Sequence, residues 1–544
     1  MCGIFGVIGK SDKPTDELER ASNLASHRGP EFSTIRTVHE GVTLGFHRLA
    51  INGIDEESHQ PLTNGDGIFL VCNGEIYNYK EIYDQEGFVS MTNSDCEVII
   101  HLYKLYGIDG VIEIIDGVFA FILVDTNQGL VYVARDTYGV RPLFHSTSEG
   151  CLYFGSEMKQ LVPIVKDEST ISQFSPGTYS TYRLNGESSV IHSESRRFAS
   201  FPFMKRMEIP YPSEYTIYKY IGQISHRLLE AVEKRVTTTD RKIACLLSGG
   251  LDSSLITSLV ASHFDDRSKL ETYSIGLEGS EDLKYAKMVA DHLGTNHTSI
   301  VVTEQDFLNA IPEVIYAIES YDTTTVRASV GNFLVAKYIK EHSDAKVIFN
   351  GDGSDEMSGG YLYFHECPSS FQFDLECKRL LKNIHYFDVL RSDRCISYHG
   401  LEARTPFLDR SLVEHYLTIP NEMRNHNISK KCEKYILRNC FLRQNLLPKE
   451  VLWRTKEAFS DGVSSMKKSW YETIQENVPD IPDLDTTDMI NPPTTPEQKY
   501  YRSIFESHFK GRGSVIPHFW MPRFTEATDS SARTLKIYNA LVQK

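Results

Sequence analysis

Cys2 stands directly behind Met1 in "MCGIFGVIG", and a thiol at that place has two readings. At the edge of an apolar strand it is a small buried hydrophobe, the usual fate of a free cysteine. With Met1 removed, as is expected when a small residue follows it, one residue carries both a thiol and a free α-amine. That amine, with an ordinary pKa of about 7.7–8.0, can serve as local base for a nucleophile whose own pKa is about 8.5. Residues downstream supply the other parts of an acyl-transfer site. "FHRLAI" puts Arg48 on a strand, where a guanidinium can grip a carboxylate through two hydrogen bonds. "CNGEIYNY" offers the Asn73 amide and the Gly74 backbone N–H as oxyanion donors, with Glu75 beside them. "NSDCEVI" offers Asp95, an anion that can pair with an ammonium. A ligand bearing both a carboxylate and an ammonium is an amino acid, and thiol attack on its side-chain amide releases ammonia, so glutamine is the candidate substrate. Taken singly, Arg48 reads as a surface ion pair and Asn73-Gly74 as a hairpin turn.

A second set of residues is built for phosphate. In "KIACLLSGGLDSSLITSLVASHF" a buried strand ending at Leu247 runs into Ser248, Gly249 and Gly250. The pattern predicts a helix from Ser253 to about Phe264, with Asp252, Ser253 and Ser254 as its capping residues. Glycines admit a ligand to the backbone, hydroxyls add donors, and the helix N-terminus turns N–H groups toward an anion. No lysine follows the glycines, so this is not the P-loop of nucleoside triphosphatases; the bland alternative is an ordinary Gly-rich strand-to-helix turn. The SGGxDS order resembles the pyrophosphate loop of enzymes that cleave ATP between the α and β phosphates. On that resemblance Asp252 is a magnesium ligand, since Mg²⁺ is held by one or two carboxylates together with phosphates. "AKVIFNGDGSDEMSGG" repeats the arrangement as strand, Gly/Asp loop and acidic helix start. There Asp355 could share the magnesium, with Asp352 and Glu356 as further acids, and ligands bind at the carboxyl ends of neighbouring parallel strands.

The elements that must position these residues differ between the two halves. Up to about residue 200, short strand-like stretches such as "GIFLVCNGEIYN" and "GVFAFILVD" alternate with Gly, Asn and Asp turns, interrupted by the helical patterns "DELERASNLAS" and "DCEVIIHLYKLYG". This predicts an α+β domain on antiparallel sheets. The proline-containing stretch 201–215 reads as a linker. From 216 to 544, apolar strands alternate with amphipathic helices, which predicts a doubly wound parallel sheet; "PDIPDLDTTDMINPPTTP" reads as an exposed connection. A chain of 544 residues exceeds one ordinary core. Its net charge of −16, with no dense Lys/Arg stripe, argues against nucleic acid. No apolar run is long enough for a membrane span and no signal core opens the chain, so a cytoplasmic protein is expected. The 10 cysteines show no metal-type spacing, and "FHECPSS" around Cys367 is a weak metal signal.

The motifs "MCGIFG", "HRGP", "HRLAI", "NGEIYN", "SDCEVI" and "RDTYGVRPLF" resemble the class II glutamine amidotransferase domain, an N-terminal-nucleophile fold. "LLSGGLDSS", "TTTVRASVG", "GDGSDE", "YLYFH", "HGLEARTPFLD" and "KEAFSDG" resemble the synthetase domain of glutamine-hydrolysing asparagine synthetases, and the motifs keep the family's order over nearly the whole chain. The resemblance implies an N-terminal-nucleophile sandwich over 1–200 and an α/β ATP pyrophosphatase domain with C-terminal helices over 216–544. It implies Cys2 as nucleophile, Asn73 and Gly74 as oxyanion hole, and Arg48, Glu75 and Asp95 as glutamine contacts. It places ATP at Leu247, Ser248, Gly249, Gly250, Asp252, Ser253, Ser254, Ile275, Asn350 and Gly351, with Mg²⁺ and pyrophosphate at Asp252 and Asp355. Thr324, Arg327, Tyr361 and Lys456 would surround the intermediate or the phosphates. Partners would be glutamine, aspartate and ATP, with a homodimer left open. The chain departs from the family at Asn350, where Ser is usual, at Asp352, where Glu is usual, and at Glu31, where Asp is usual. An Asp352 carboxylate one methylene short could miss the adenylate by an ångström, and misplacement of that size lowers rates by about 100-fold. Two other functions stay open: the same architecture acting on another carboxylate, as in β-lactam synthetase-like enzymes, and a non-catalytic ATP- or glutamine-binding regulator.

Overall fold

The computed structural model describes residues 1–538 apart from 168, 186–188, 200–213, 466, 467, 480, 482–486 and 488. The expected linker 201–215 lies almost wholly outside the described residues, as do residues 480, 482–486 and 488 of the connection after Val478. In the N-terminal half two six-stranded sheets, antiparallel throughout, pack face to face. The first contains β1 (Gly3–Ile8) and β2 (Val42–Arg48); the second contains β3 (Ile68–Ile76) and β4 (Gly117–Asp125). The period-2 alternation of each strand decides its two faces. Ile4 and Ile8 of β1 meet Val71 of β3 and Ile122 of β4 in the core between the sheets. Phe5 and Val7 turn the other way, onto the helix Thr15–Asn23 through Leu18 and Ala21. The outer face of the second sheet buries Leu70, Cys72 and Phe121 beneath α1 (Val98–Ile114). The domain is therefore two sheets enclosed by helices.

The C-terminal half holds a five-stranded parallel sheet in the spatial order Asn296–Val302, Glu271–Leu277, Ile243–Leu246, Val347–Phe349, Glu402–Arg404. We name these strands in chain order β5 (Ile243–Leu246), β6 (Glu271–Leu277), β7 (Asn296–Val302), β8 (Val347–Phe349) and β9 (Glu402–Arg404). β5 lies centrally and the chain winds outward on both sides of it, so the topological switch falls between β5 and β8, and a ligand crevice opens at their carboxyl ends. Both Gly-rich loops leave the sheet there. β5 stops at Leu246, one residue short of the expected end, and the following helix α2 (Leu251–Ala261) starts two residues earlier than expected. Its N-cap is Gly250, with no side-chain cap. The hydroxyls fold the loop on itself instead: Ser253 Oγ accepts the Ser248 N–H at 3.1 Å and lies 2.9 Å from Ser248 Oγ. No helix among the described residues is long and apolar enough to cross a membrane.

Candidate active sites

Cys2 is half-buried at the head of β1, and its backbone N–H donates to Asn73 Oδ1 at 3.1 Å. The other end of that amide, Asn73 Nδ2, is buried without a partner, a donor of the kind an oxyanion requires. Asn73 and Gly74 are neighbours on β3, so the face-to-face packing of the two sheets brings Asn73 to Cys2. Burial pushes the Cys2 thiol above its ordinary range; the terminal ammonium, a backbone hydrogen bond at Leu49 and Arg48 oppose it. With Met1 in place its ammonium lies 3.3 Å from Glu402 Oε2 and the Cys2 nitrogen is an amide; the α-amine expected of Cys2 requires removal of Met1. Arg48 is buried and donates to the Gly53 and Asp55 carbonyls. Asp95 Oδ2 accepts the Ile76 N–H at 2.6 Å, and burial raises Asp95 to about 6. Glu75 is raised well above the carboxylate range by burial and by Glu402 and Asp95 nearby, and accepts from Asn52 Nδ2 at 2.6 Å.

At the crevice of the parallel sheet lies a cavity of about 200 Å³. Leu247, Ser248, Gly250, Asp252 and Ser253 wall one side, and Asn350, Gly351, Asp352 and Asp355 the other. Ile275, Thr324, Tyr361 and Lys456 also line it. The two loops touch at Gly351, where a Cβ would stand 2.7 Å from the Ser253 nitrogen, so only glycine lets them close on one another. Gly249, Ser254 and Arg327 are not on the cavity. Gly249 has φ +72° and presses on the helix Glu281–Leu293, where an added Cβ would lie 2.5 Å from Tyr285 Cβ. Ser254 is fully buried behind the loop. Arg327, 3 % exposed, spends its guanidinium on Glu497 (2.6 and 2.8 Å) and Asp529 (2.8 and 2.9 Å).

The two acids assigned to magnesium converge on cations. Lys434 Nζ lies 2.6 Å from both Asp252 Oδ2 and Asp355 Oδ1, and Lys456 Nζ 2.6 Å from Asp355 Oδ2. Against the cost of burial, the two lysines hold Asp355 below the usual carboxylate range, and Asp355 and Asp252 push Lys456 up. Asp352 Oδ1 accepts from Arg391 at 3.0 Å, and Arg391 also binds Asp388 at 2.6 Å. The departures at 350 and 352 are joined: Asn350 Oδ1 accepts the Asp352 N–H at 3.2 Å while Asn350 Nδ2 donates to Ser392 Oγ at 2.6 Å. Tyr361 donates to Glu356 and to Asp388 Oδ2, the latter at 2.9 Å. Against its burial, Arg391 holds Asp388 down at about 2, while burial and the neighbouring Asp388 raise Glu356 well above its ordinary value.

A glutamine amidotransferase domain model matches residues 1–208, and an asparagine synthase model matches 223–376 and 368–514. "Asparagine synthetase [glutamine-hydrolyzing]" of Gallus gallus is 43 % identical over 573 aligned positions, with 100 % of each chain covered. The proteins of the same name from Homo sapiens and Bos taurus are 41 % identical, covering 100 % and 99 % of each chain. The chain belongs to the glutamine-hydrolysing asparagine synthetase family.

Within this asparagine synthetase-family chain the two sites meet across a buried ionic interface. β9 carries Glu402, which receives the Met1 ammonium, and Arg404, which binds Glu402 at 2.8 Å and Glu75 at 3.3 Å. The Arg404 carbonyl accepts the Asn350 N–H at 3.1 Å, so one three-residue strand touches both sites. Arg28 donates to the Cys2 carbonyl at 2.9 Å and bridges Glu157 and Asp393. Glu31, longer than the usual Asp, reaches Arg241 of the second half at 3.0 Å. Sequence reasoning missed Lys434, Arg391 and Asp388, and gave Arg28, Glu402 and Arg404 no role. Lys434 hides in "SKKCEKY", a run that reads as solvated cations. Glu402 and Arg404 did leave a signal, as charges inside the otherwise buried-looking "HGLEARTPFL".

Proposed function

We propose that the protein makes asparagine from aspartate with glutamine as nitrogen donor and ATP as energy source. The Cys2 thiolate attacks the glutamine amide carbon, with the substrate held by Arg48 and Asp95. Asn73 Nδ2 and the Gly74 N–H receive the oxyanion, ammonia leaves, and water hydrolyses the γ-glutamyl thioester to glutamate. Removal of Met1 turns the Cys2 nitrogen into the amine this step needs. In the second domain the aspartate β-carboxylate attacks the ATP α-phosphorus, giving β-aspartyl-AMP and pyrophosphate. Ammonia then displaces AMP, and Asp352, poised by Arg391 and Asn350, takes the proton released. Lys434 and Lys456 neutralise charge as pyrophosphate leaves.

Asp252 and Asp355 would hold Mg²⁺ through the hard oxygen donors that this ion shares with phosphates, once the Lys434 ammonium, which occupies the point on which the two carboxylates converge, gives way. When bound, it neutralises phosphate charge. Free ammonia is largely protonated in neutral water, so it must pass between the sites sheltered from solvent. The observation that carries the reading is the reach of β9 from Glu75, next to Asn73 and Gly74, to the Asn350 loop: Arg404 binds Glu75 and its carbonyl accepts the Asn350 N–H. The free cysteines fit a reducing, cytoplasmic setting. Replacing Cys2 with Ala is expected to abolish glutamine-dependent asparagine formation and leave the ammonia-dependent reaction; loss of both would overturn this division of labour.

A further inference from the structure

The synthetase cavity has one wall that neither Gly-rich loop supplies. Trp520, Pro522, Ser530, Ala532 and Leu535 line it from the C-terminal end of the chain. The Trp520 ring meets Tyr361 edge-on, with centroids 5.4 Å apart, and the Trp520 carbonyl accepts from Thr324 Oγ1 at 3.4 Å. This segment has almost no regular structure of its own, only the short turn Ala532–Thr534, so tertiary anchors must hold it in place.

Three buried anchors do so. Asp322 Oδ1 accepts the Trp520 N–H at 2.7 Å. Arg327 grips Asp529 through two nitrogens. Asp461, 1 % exposed, accepts from Ser531 Oγ at 2.8 Å and from the Ala532 N–H at 3.2 Å. Arg533 adds a contact to Glu457 at 2.8 Å, next to Lys456. The anchors thus tie the segment on one side to the helix Thr323–His342 and on the other to the loop that carries Lys456. With both Glu497 and Asp529 already on its fork, Arg327 has no free pair of donors for a phosphate.

Resting on the asparagine-synthesis reading, we propose that the segment Trp520–Leu535 is a cap of the synthetase site. Arg327 is then a positioning residue that clamps the cap through Asp529 and leaves the nucleotide to other groups. The cap keeps water off β-aspartyl-AMP and holds the Lys456 loop. When it opens, water attacks the acyl carbon in place of ammonia, the acyl–phosphate bond breaks, and aspartate and AMP are returned without asparagine.

The test is Asp529→Ala in the full chain, with pyrophosphate and asparagine counted together from aspartate, MgATP and ammonia. The ratio of pyrophosphate to asparagine is expected to rise several-fold above the unmutated chain, with Asp529→Glu restoring most of it and glutamine hydrolysis unchanged. An unchanged ratio with a higher KM for ATP would overturn the proposal and put Arg327 on the phosphates. Hydrogen exchange of residues 520–535 in the free protein gives a second arm that needs no turnover. These amides should be protected, and Asp529→Ala should speed their exchange on the order of tenfold. A segment already unprotected in the unmutated chain would overturn the cap, whereas protection without any aspartate-dependent pyrophosphate would instead count against the asparagine-synthesis reading.

Discussion

Asn73 accepts the Cys2 N–H through Oδ1 and keeps a buried, unpartnered Nδ2, the group to which the proposed mechanism gives the oxyanion. Asn73→Ala should therefore lower glutamine hydrolysis by about 10²–10³-fold, the loss that follows removal of one oxyanion donor; ammonia-dependent pyrophosphate release measured on the same sample should hold. Asp95 gives the glutaminase a pH signature. Its folded value of about 6 lies above the ordinary 3.8, because burial disfavours the charged form. Folding therefore favours the protonated acid, and Asp95's contribution to stability is fullest below 3.8 and is lost as pH rises through about 6. Binding a glutamine ammonium needs the anion. Hence kcat/KM for glutamine should fall with decreasing pH through an apparent pKa of about 6; Asp95→Asn should remove that limb along with most of the affinity, and a flat profile between pH 5 and 7 would contradict the assignment.

The two Gly-rich loops show at the scale of elements how far local sequence reaches. Strand, SGGLDSS and helix follow one another as written because their signals are local: a short apolar run, then glycines, then Asp and Ser residues opening a second, longer apolar run. The roles of the two glycines separate only in three dimensions. Gly250 faces the cavity, while Gly249 is required by its left-handed backbone and its contact with the helix Glu281–Leu293. Gly249→Ala should accordingly destabilise the synthetase half by about 2–4 kcal/mol, combining backbone strain with overpacking, seen as a lower melting temperature and lost pyrophosphate release with glutamine hydrolysis intact. The sandwich and the doubly wound sheet were legible because alternation and helical period are properties of single segments. Lys434 and Arg391 were not, since each matters only through carboxylates brought up from distant parts of the chain. The capping of α2 was misread for a related reason: Ser253 serves the loop that precedes it, not the helix that follows.

Across the whole molecule, a buried ionic interface joins the two candidate sites through β9. Arg404 is fully buried and answers Glu402 and Glu75 from opposite domains. Arg404→Leu leaves Glu402 with Arg141 at 3.3 Å and Glu75 with Asn52, so the loss should lie at or below the low end of the roughly 3–5 kcal/mol that breaking a buried pair costs. The expected result is a lower melting temperature together with glutamate produced in excess of asparagine, as ammonia escapes between the sites; equal production at unchanged stability would mean that β9 does not join them. The most direct test of the account is to incubate the purified chain with glutamine, aspartate and MgATP and to count glutamate, asparagine, AMP and pyrophosphate together. Coupled sites in one asparagine synthetase predict the four in equal amounts, and glutamate accumulating without pyrophosphate or asparagine would contradict it.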